Sequence, residues 1–368
     1  MAKPHLRSDG RWCIKVTVKT PTGESKQKAL YGKTRTEVKQ KEKLLNAAIQ
    51  NQGYVETGKL TVKRYLEDWV KGLDSVKLVT KESYEENIRL HLIPHIGHIK
   101  LQQLRPLDIK NLLTVLKDKN LSARSRTYVL AILNAALNEA MALQMLIQNP
   151  CKGVTRPKSE RYKIRPMTVE ESKQFLGIAK ERDDHYYALF LLAISFGFRA
   201  GELLALQWQD IDFKTGKIQV RHTLNRKYLT LTAPKTEESI RSIDISDQAT
   251  IALQRHKDKQ SEIKQRTPNW DSTLNLVFPT TVGTPTKHSN LVNRHFKPIL
   301  RAAGLPDTIR FHDLRHTCAS LMLTANVHPR IVQEILGHSD IKMTLSTYSH
   351  LLPNLQKDVS DAVGDLLE

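Results

Sequence analysis

Cysteine is scarce in this chain. The three present, Cys13, Cys151 and Cys318, are far apart, odd in number and never in a CxxC pair. That excludes a disulfide framework and a zinc knuckle, and it fits a reduced, cytoplasmic protein. Long apolar runs are missing too: none approaches the roughly 18 residues of a membrane span. The opening "MAKPHLRSDGRW" lacks the apolar segment of a signal peptide. Internal repeats and low-complexity tracts are also absent. Negative charge is the other shortage. There are 57 Lys and Arg against 38 Asp and Glu, a net charge of +19. Such an excess calls for a polyanionic partner, a nucleic acid or a membrane surface. With nothing to favour the membrane, nucleic acid leads.

What is present is enough apolar material, 40% of 368 residues, for two or three cored domains. Residues 1–55 carry 12 Lys and Arg against 4 Asp and Glu. In this segment "GRWCIKVTV" and "SKQKALYG" flank the turn "TPTGE" and read as strands. "TRTEVKQKEKLLNAAIQ" reads as a helix capped by Thr34 or Thr36. A small sheet with one helix, studded with lysine, has the form of a DNA-docking module. Its bland alternative is a solvated basic tail. Residues 57–154 are expected to be all helical, through "TVKRYLEDWVKGL", "SYEENIRLHLIPHI", "LRPLDIKNLLTVLKD" and "SARSRTYVLAILNAALNEAMALQM", closing at "NPCKG". His91, His95 and His98 mimic metal-ligand spacing, but Pro94 and Gly97 are expected to interrupt the helix that would align them. "TRPKSERYKIRP", 155–166, reads as a linker. Residues 167–368 should form a mixed, mainly α domain with a small antiparallel sheet. It opens at a capping box, Thr168 with Glu171, and its strand candidates are "KIQVRHTL", "RKYLTLT" and "IRSIDIS".

Chemistry concentrates in this last region. In "GFRAGELLALQW", Gly197 and Gly201 bracket Arg199 and set it at a turn feeding a helix. A buried arginine there needs an anion: Glu202 as an ion pair, or a phosphate. In "FHDLRHTCASLML", helical spacing puts His312, Arg315 and His316 on one face, with Leu314, Cys318 and Leu321 roughly opposite. A metal at the two histidines is disfavoured, because no glutamate accompanies them as in H-E-x-x-H and Arg315 would repel the cation. In "HPRIVQEILGHS", Pro329 starts a helix and Gly337 ends it, which leaves His338 on the following loop. Tyr348 shares a face with Ile341, Leu345 and Leu352, so spacing alone makes it a core tyrosine.

Taken together, these residues resemble the tyrosine recombinases, the phage-integrase family. Their signature of Arg, Lys, His-x-x-Arg, His and Tyr reads here as Arg199, Lys235 in "TAPKTEESIRSI", His312 with Arg315, His338 and Tyr348. Glu202 stands at the family's usual acidic position. The resemblance spans the chain. It implies an arm-type DNA-binding domain at 1–55, a core-binding domain at 57–154, and a catalytic domain at 167–368. It implies DNA strand exchange without cofactor, ATP or metal: Tyr348 attacks a scissile phosphate and leaves a 3′-phosphotyrosine. Arg199 and Arg315 would grip the non-bridging oxygens and His338 would donate a further hydrogen bond. His312 would be the base, Lys235 the acid for the leaving 5′-oxygen, and Glu202 a support. The expected partner is double-stranded DNA at core and arm sites. The active form would be a homotetramer, with the C-terminal tail, 352–367 here, either docking onto a neighbouring protomer, as is often so in the family, or packing on its own domain. Excision in the family often uses an excisionase and a host DNA-bending protein. The rival readings are a chromosome-dimer resolvase of the same family, a type IB topoisomerase, and a non-catalytic architectural DNA-binding protein. The last has no need of Tyr348.

Overall fold

The computed structural model describes residues 3–19, 25–52, 59–158, 164–182, 185–233 and 240–337. The turn "TPTGE", Lys235, His338, Tyr348 and the C-terminal tail lie outside these residues. The chain divides into two compact units, 1–161 and 162–368.

The first unit opens with a three-stranded antiparallel sheet in the order β1 (His5–Leu6), β2 (Trp12–Lys19), β3 (Ser25–Gly32). Helix α1 (Arg35–Gln52) follows. Thr34 caps it, its Oγ1 accepting from the Glu37 amide at 3.1 Å. Strand alternation turns Ile14 and Val16 toward Val38, with Trp12 and Leu30 beside them. The opposite face carries Lys15 and Thr17, paired with Ala29 and Gln27. Tyr31 is on this face too, and the guanidiniums of Arg7 and Arg11 lie 5.4 and 5.6 Å from its ring centroid. The core of this module is small and its outer face is basic.

The rest of the unit is helical: α2 (Val62–Lys71), α3 (Leu78–Asn87), α4 (Ile93–Ile96), α5 (Pro106–Asp118) and α6 (Ala123–Ala142). Thr61 and Ser122 cap α2 and α6 through their hydroxyls. Leu66, Leu92, Ile109, Leu133 and Leu137 meet in the core. Tyr65 Oη donates to the Ala136 carbonyl at 2.6 Å and Trp69 Nε1 to Glu139 Oε2 at 2.7 Å, which ties α2 to α6. Asn149 of the "NP" turn is fully buried and is held by Asn134 and Asn138. One expectation needs correcting here. Pro94 does not interrupt its helix. The segment Ile88–Leu92 widens into a π turn, the Ile93 amide bonds back to the Ile88 carbonyl, and the helix continues to Gly97. A proline removes one N–H and crowds the carbonyl four residues back; a π turn absorbs both defects. The same device recurs at Leu291–Phe296, just before Pro298.

In the second unit, α7 (Val169–Glu181) begins at the expected capping box. The Thr168 amide donates to Glu171 Oε2 at 3.0 Å and the Glu171 amide to Thr168 Oγ1 at 3.2 Å. Next come α8 (Tyr187–Phe196) and α9 (Ala200–Ala205). Strands β4 (Ile211–Asp212), β5 (Lys217–Val220) and β8 (Arg241–Asp244) form an antiparallel sheet, and β6 (Thr223–Leu224) pairs with β7 (Leu231–Thr232). The remaining helices are α10 (Asp247–Arg266), α11 (His288–Asn290), α12 (Lys297–Ala302), α13 (Asp313–Thr324) and α14 (Pro329–Leu336). Helix α8, "YALFLLAISF", is apolar all round and buried, and α7, α10 and α13 pack against it. Among the described residues no helix is long and apolar enough to cross a membrane.

Candidate active site

Helix α8 stops at Gly197, whose φ of 65° is left-handed. Any larger residue there would also drive its Cβ into the Leu336 side chain. The chain then reverses through Phe198, and Arg199 becomes the N-cap of α9. Both features follow from the local sequence, a glycine to end one helix and three residues to start the next.

Glu202, one turn into α9, is the hub. Its side chain is 3% exposed. One carboxylate oxygen accepts Arg199 Nη1 at 2.7 Å, and the other accepts the Arg199 amide at 2.9 Å. Arg241, at the start of β8, adds Nη1 at 3.3 Å and Nη2 at 3.0 Å. Burial alone would raise the Glu202 pKa, but the charge and hydrogen bonds of Arg241, then those of Arg199, outweigh it and hold the carboxyl below its ordinary range. Glu202 is an anion here.

Arg315 projects inward from α13 and is 3% exposed. Its Nη1 donates to the Gly197 carbonyl at 2.7 Å and its Nη2 to the Leu336 carbonyl at 2.5 Å. Burial, and then the neighbouring Arg199, push its pKa down to about 9, so it is still cationic at neutral pH. Arg199 Nη2 reaches the Gly337 carbonyl at 3.0 Å, and over a third of its side chain remains accessible. Gly337, with φ 62°, ends α14 in the left-handed form expected of it.

His312 sits at the N-cap of α13, one position before the helix proper, and is exposed. The expected single wall of His312, Arg315 and His316 is therefore divided. The two imidazoles meet edge to face at 5.1 Å between centroids, while Arg315 turns into the core. Packing beneath the His312 ring, then His316 and Arg315, push its pKa down to about 4, although part of its surface meets solvent. It is neutral at physiological pH and able to accept a proton. Leu314 and Cys318 are buried as their spacing required, and Cys318 Sγ donates to the Ser195 carbonyl at 3.4 Å. Asp313 is fully buried and paired with Arg310 at 2.8 Å.

The structure thus brings Arg199, Glu202 and Arg315 together at the C-terminal end of α14, with His312 one turn from Arg315. Lys235, His338 and Tyr348 lie outside the described residues, though His338 directly follows Gly337 in sequence. Arg241 escaped the sequence reading. Its only trace there is an arginine inside the strand "SIRSIDI", and nothing local tells it from a surface strand residue. Among the described residues, no group of three or more His, Cys, Asp or Glu side chains could hold a metal ion.

A positive cluster organised on one carboxylate, in a basic chain, is suited to meet an anion such as a phosphodiester. The comparisons with known proteins agree. A model described as "Phage integrase family" matches residues 165–354, and one described as "Phage integrase, N-terminal SAM-like domain" matches 61–116. A "Tyrosine recombinase XerC-like" protein of Caldanaerobacter subterraneus subsp. tengcongensis is 30% identical over 99% of each chain. The ICEBs1 integrase of Bacillus subtilis is 29% identical over 80% of this chain and 81% of its own. Two solved structures share the fold. A Tn1549 transposon integrase in complex with a circular intermediate DNA has a TM-score of 0.67 at 24% identity, covering 79% of this chain and 95% of its own. A lambda integrase tetramer bound to a Holliday junction has a TM-score of 0.58 at 20% identity, covering 94% of each chain. The chain belongs to the phage integrase family and is a site-specific DNA recombinase of the tyrosine type.

Proposed function

We propose that this recombinase integrates and excises a mobile element, using Tyr348 as the nucleophile. The observation that carries the reading is the Arg199–Glu202–Arg315 cluster at the end of α14, twelve residues ahead of Tyr348. Attack of the Tyr348 phenolate on a scissile phosphorus forms a 3′-phosphotyrosine and releases the 5′-hydroxyl of the next nucleotide. The phosphotyrosine conserves the energy of the broken phosphodiester, so rejoining needs no ATP. Two such exchanges pass through a Holliday junction.

Negative charge grows on the non-bridging oxygens in the transition state. Arg199, the accessible member, offers its guanidinium to them, Arg315 supplies buried positive charge behind it, and His338 adds a donor. A tyrosine has an ordinary pKa near 10, so a base helps. His312 is neutral and at the rim; the charge of an arriving phosphodiester offsets Arg310 and Arg315 and raises its basicity. Lys235 protonates the leaving 5′-oxygen. Glu202 holds the arginines.

The basic sheet face of 1–55, with Arg7, Arg11, Lys15 and Tyr31, binds arm-type DNA. The helices of 57–154 bind core DNA, and 155–166 link them to the catalytic domain. Four protomers assemble on DNA in the cytoplasm, joined by their C-terminal tails, with an excisionase and a host DNA-bending protein as helpers. The basic N-terminal module favours an element integrase over a chromosome-dimer resolvase, as does the likeness to an integrase named for ICEBs1.

The test is covalent trapping. DNA spanning the ends of the element that encodes the chain is nicked near the crossover and mixed with protein in chelator. Wild type should give a protein–DNA adduct on a denaturing gel, and Tyr348→Phe should give none while binding DNA normally. Tight binding without any adduct from several such substrates would point instead to an architectural DNA-binding protein.

A further inference from the structure

Three successive carbonyls at the end of α14 are each held by a different guanidinium. Arg241 Nε donates to Ile335 O at 2.8 Å, Arg315 Nη2 to Leu336 O at 2.5 Å, and Arg199 Nη2 to Gly337 O at 3.0 Å. A helix C-terminus leaves its last carbonyls without intrahelical partners, and the aligned peptide dipoles make that end negative. One cation there is ordinary. Here the Gly337 amide closes the helix onto Gln333 and Glu334 only, and the three carbonyls beyond them each take a guanidinium, delivered by β8, α13 and the N-cap of α9. The arrangement fixes the point from which the chain leaves α14 toward His338 and Tyr348.

Arg241 is the unassigned member, and its surroundings differ from those of the other two. Its side chain is 7% exposed, against 36% for Arg199. Its bonds to described residues run to both oxygens of Glu202 and to Ile335 O. Its guanidinium lies 5.7 Å from the Phe198 ring centroid. A group so enclosed is committed to protein rather than to DNA. Its effect falls on its neighbours. Two guanidiniums share the Glu202 carboxylate. With Arg241 gone, a buried anion keeps Arg199 as its one direct partner, and Arg199 is drawn toward it and away from a phosphate. The Ile335 carbonyl also loses its donor.

We infer that Arg241 is a positioning residue for strand cleavage. It balances Glu202, and so aims Arg199, and it pins the end of α14, and so sets the departure of the nucleophile-bearing segment. The inference rests on the reading of Tyr348 as nucleophile and of Arg199 as a phosphate ligand.

The experiment compares adduct formation on the nicked substrate by the full-length wild type, Arg241→Gln, Arg241→Lys, Glu202→Gln and the Glu202→Gln/Arg241→Gln double variant. Single-turnover rates are measured against DNA concentration. A misplacement near 1 Å in a catalytic constellation costs about 10²-fold. Arg241→Gln should therefore cleave about 10²-fold more slowly at saturating DNA, with the half-saturating concentration unchanged. Arg241→Lys, which keeps charge and one donor, should recover part of the rate. In the double variant, Arg241→Gln should add little to Glu202→Gln, because both act through one ion pair. A saturated rate within twofold of wild type for Arg241→Gln, or losses that multiply in the double variant, would overturn the inference. Should Arg241→Gln fail to fold by thermal unfolding, Arg241→Lys carries the test: a wild-type rate overturns the inference and a slower one at equal half-saturation supports it. Failure of the underlying reading would look different, since the wild type itself would form no adduct.

Discussion

The helical part of the first unit and the centre of the second bury polar groups in opposite ways. In the former the deep contacts end on neutral partners: the Tyr65 hydroxyl on the Ala136 carbonyl, and Asn149 on Asn134 and Asn138. Such bonds lock helices at little risk, since each net contribution is about 1 kcal/mol. In the latter, Glu202, Arg241 and Arg315 are buried as ions, with Arg199 partly in water. Desolvating ions is expensive, and well-packed apolar residues would often stabilise a fold as well or better. A chain that needs only to fold has little reason to do this. A chain that must meet a phosphodiester with fixed positive charge has a strong one.

The sharpest way to break that contrast is to remove a charge from the centre. Arg199→Ala should slow adduct formation about 10²–10³-fold, as loss of one transition-state donor does elsewhere, with a smaller loss of thermal stability than at Arg315, because its side chain is partly solvated and Arg241 still pairs Glu202. Arg315→Ala should slow it similarly and also lower stability. Its loss orphans the Gly197 and Leu336 carbonyls, and an unsatisfied buried group costs about 1–3 kcal/mol. Equal stability losses in the two variants, read by denaturant unfolding, would remove the distinction drawn between accessible and buried arginine.

Acid should separate the two regions next. His256 in α10 is 6% exposed, its Nε2 donates to the Val277 carbonyl at 2.6 Å, and burial followed by His185 pushes its pKa down to about 4. The unfolded chain binds this proton from about pH 6.5 downward, whereas the folded chain resists until about 4. The second unit therefore loses stability across that window. The loss is on the order of 3 kcal/mol from His256, at 1.36 kcal/mol per pKa unit. Glu202 behaves as a depressed carboxylate. Its contribution is whole above the unfolded carboxylate pKa and is lost as pH falls through its lower folded value. Urea titrations of wild type and His256→Gln between pH 7 and 4 should show a slope that the variant flattens; parallel curves would contradict it.

The neutral region should respond more gently. Tyr65→Phe removes the hydroxyl bonded to Ala136 and should cost about 1 kcal/mol, with the saturated cleavage rate unchanged. The smallest effect is expected at the outer face of the sheet. Lys15→Ala, at an exposed position, should weaken arm-type DNA binding modestly and reduce the logarithmic salt slope by about one. An unchanged slope would take Lys15 off the interface.

Legibility in the sequence followed the range of the interaction. The Thr168–Glu171 box, the strand pair around residues 12–32, and the Gly197–Arg199 turn were readable because each is settled within a few residues. The family signature brought out Arg199, Glu202, His312 and Arg315 together, although spacing alone left each ambiguous. Three features were not readable. Arg241 meets Glu202 and Ile335, 39 and 94 positions away. Arg315 turns inward because carbonyls from two other helix ends await it, which helical periodicity does not register. Pro94 reads as a break because the rule for proline concerns the α-helix, whereas the chain widens into a π turn there.

The central claim is that the charged cluster at the end of α14 serves a tyrosine twelve residues further on. It is tested most directly by finding where the DNA is attached. The adduct formed in chelator would be digested with protease and nuclease, and the modified peptide sequenced by mass spectrometry. The account predicts a nucleotide joined through its 3′-phosphate to Tyr348. Attachment to any other residue, or an adduct that persists in Tyr348→Phe, would contradict it.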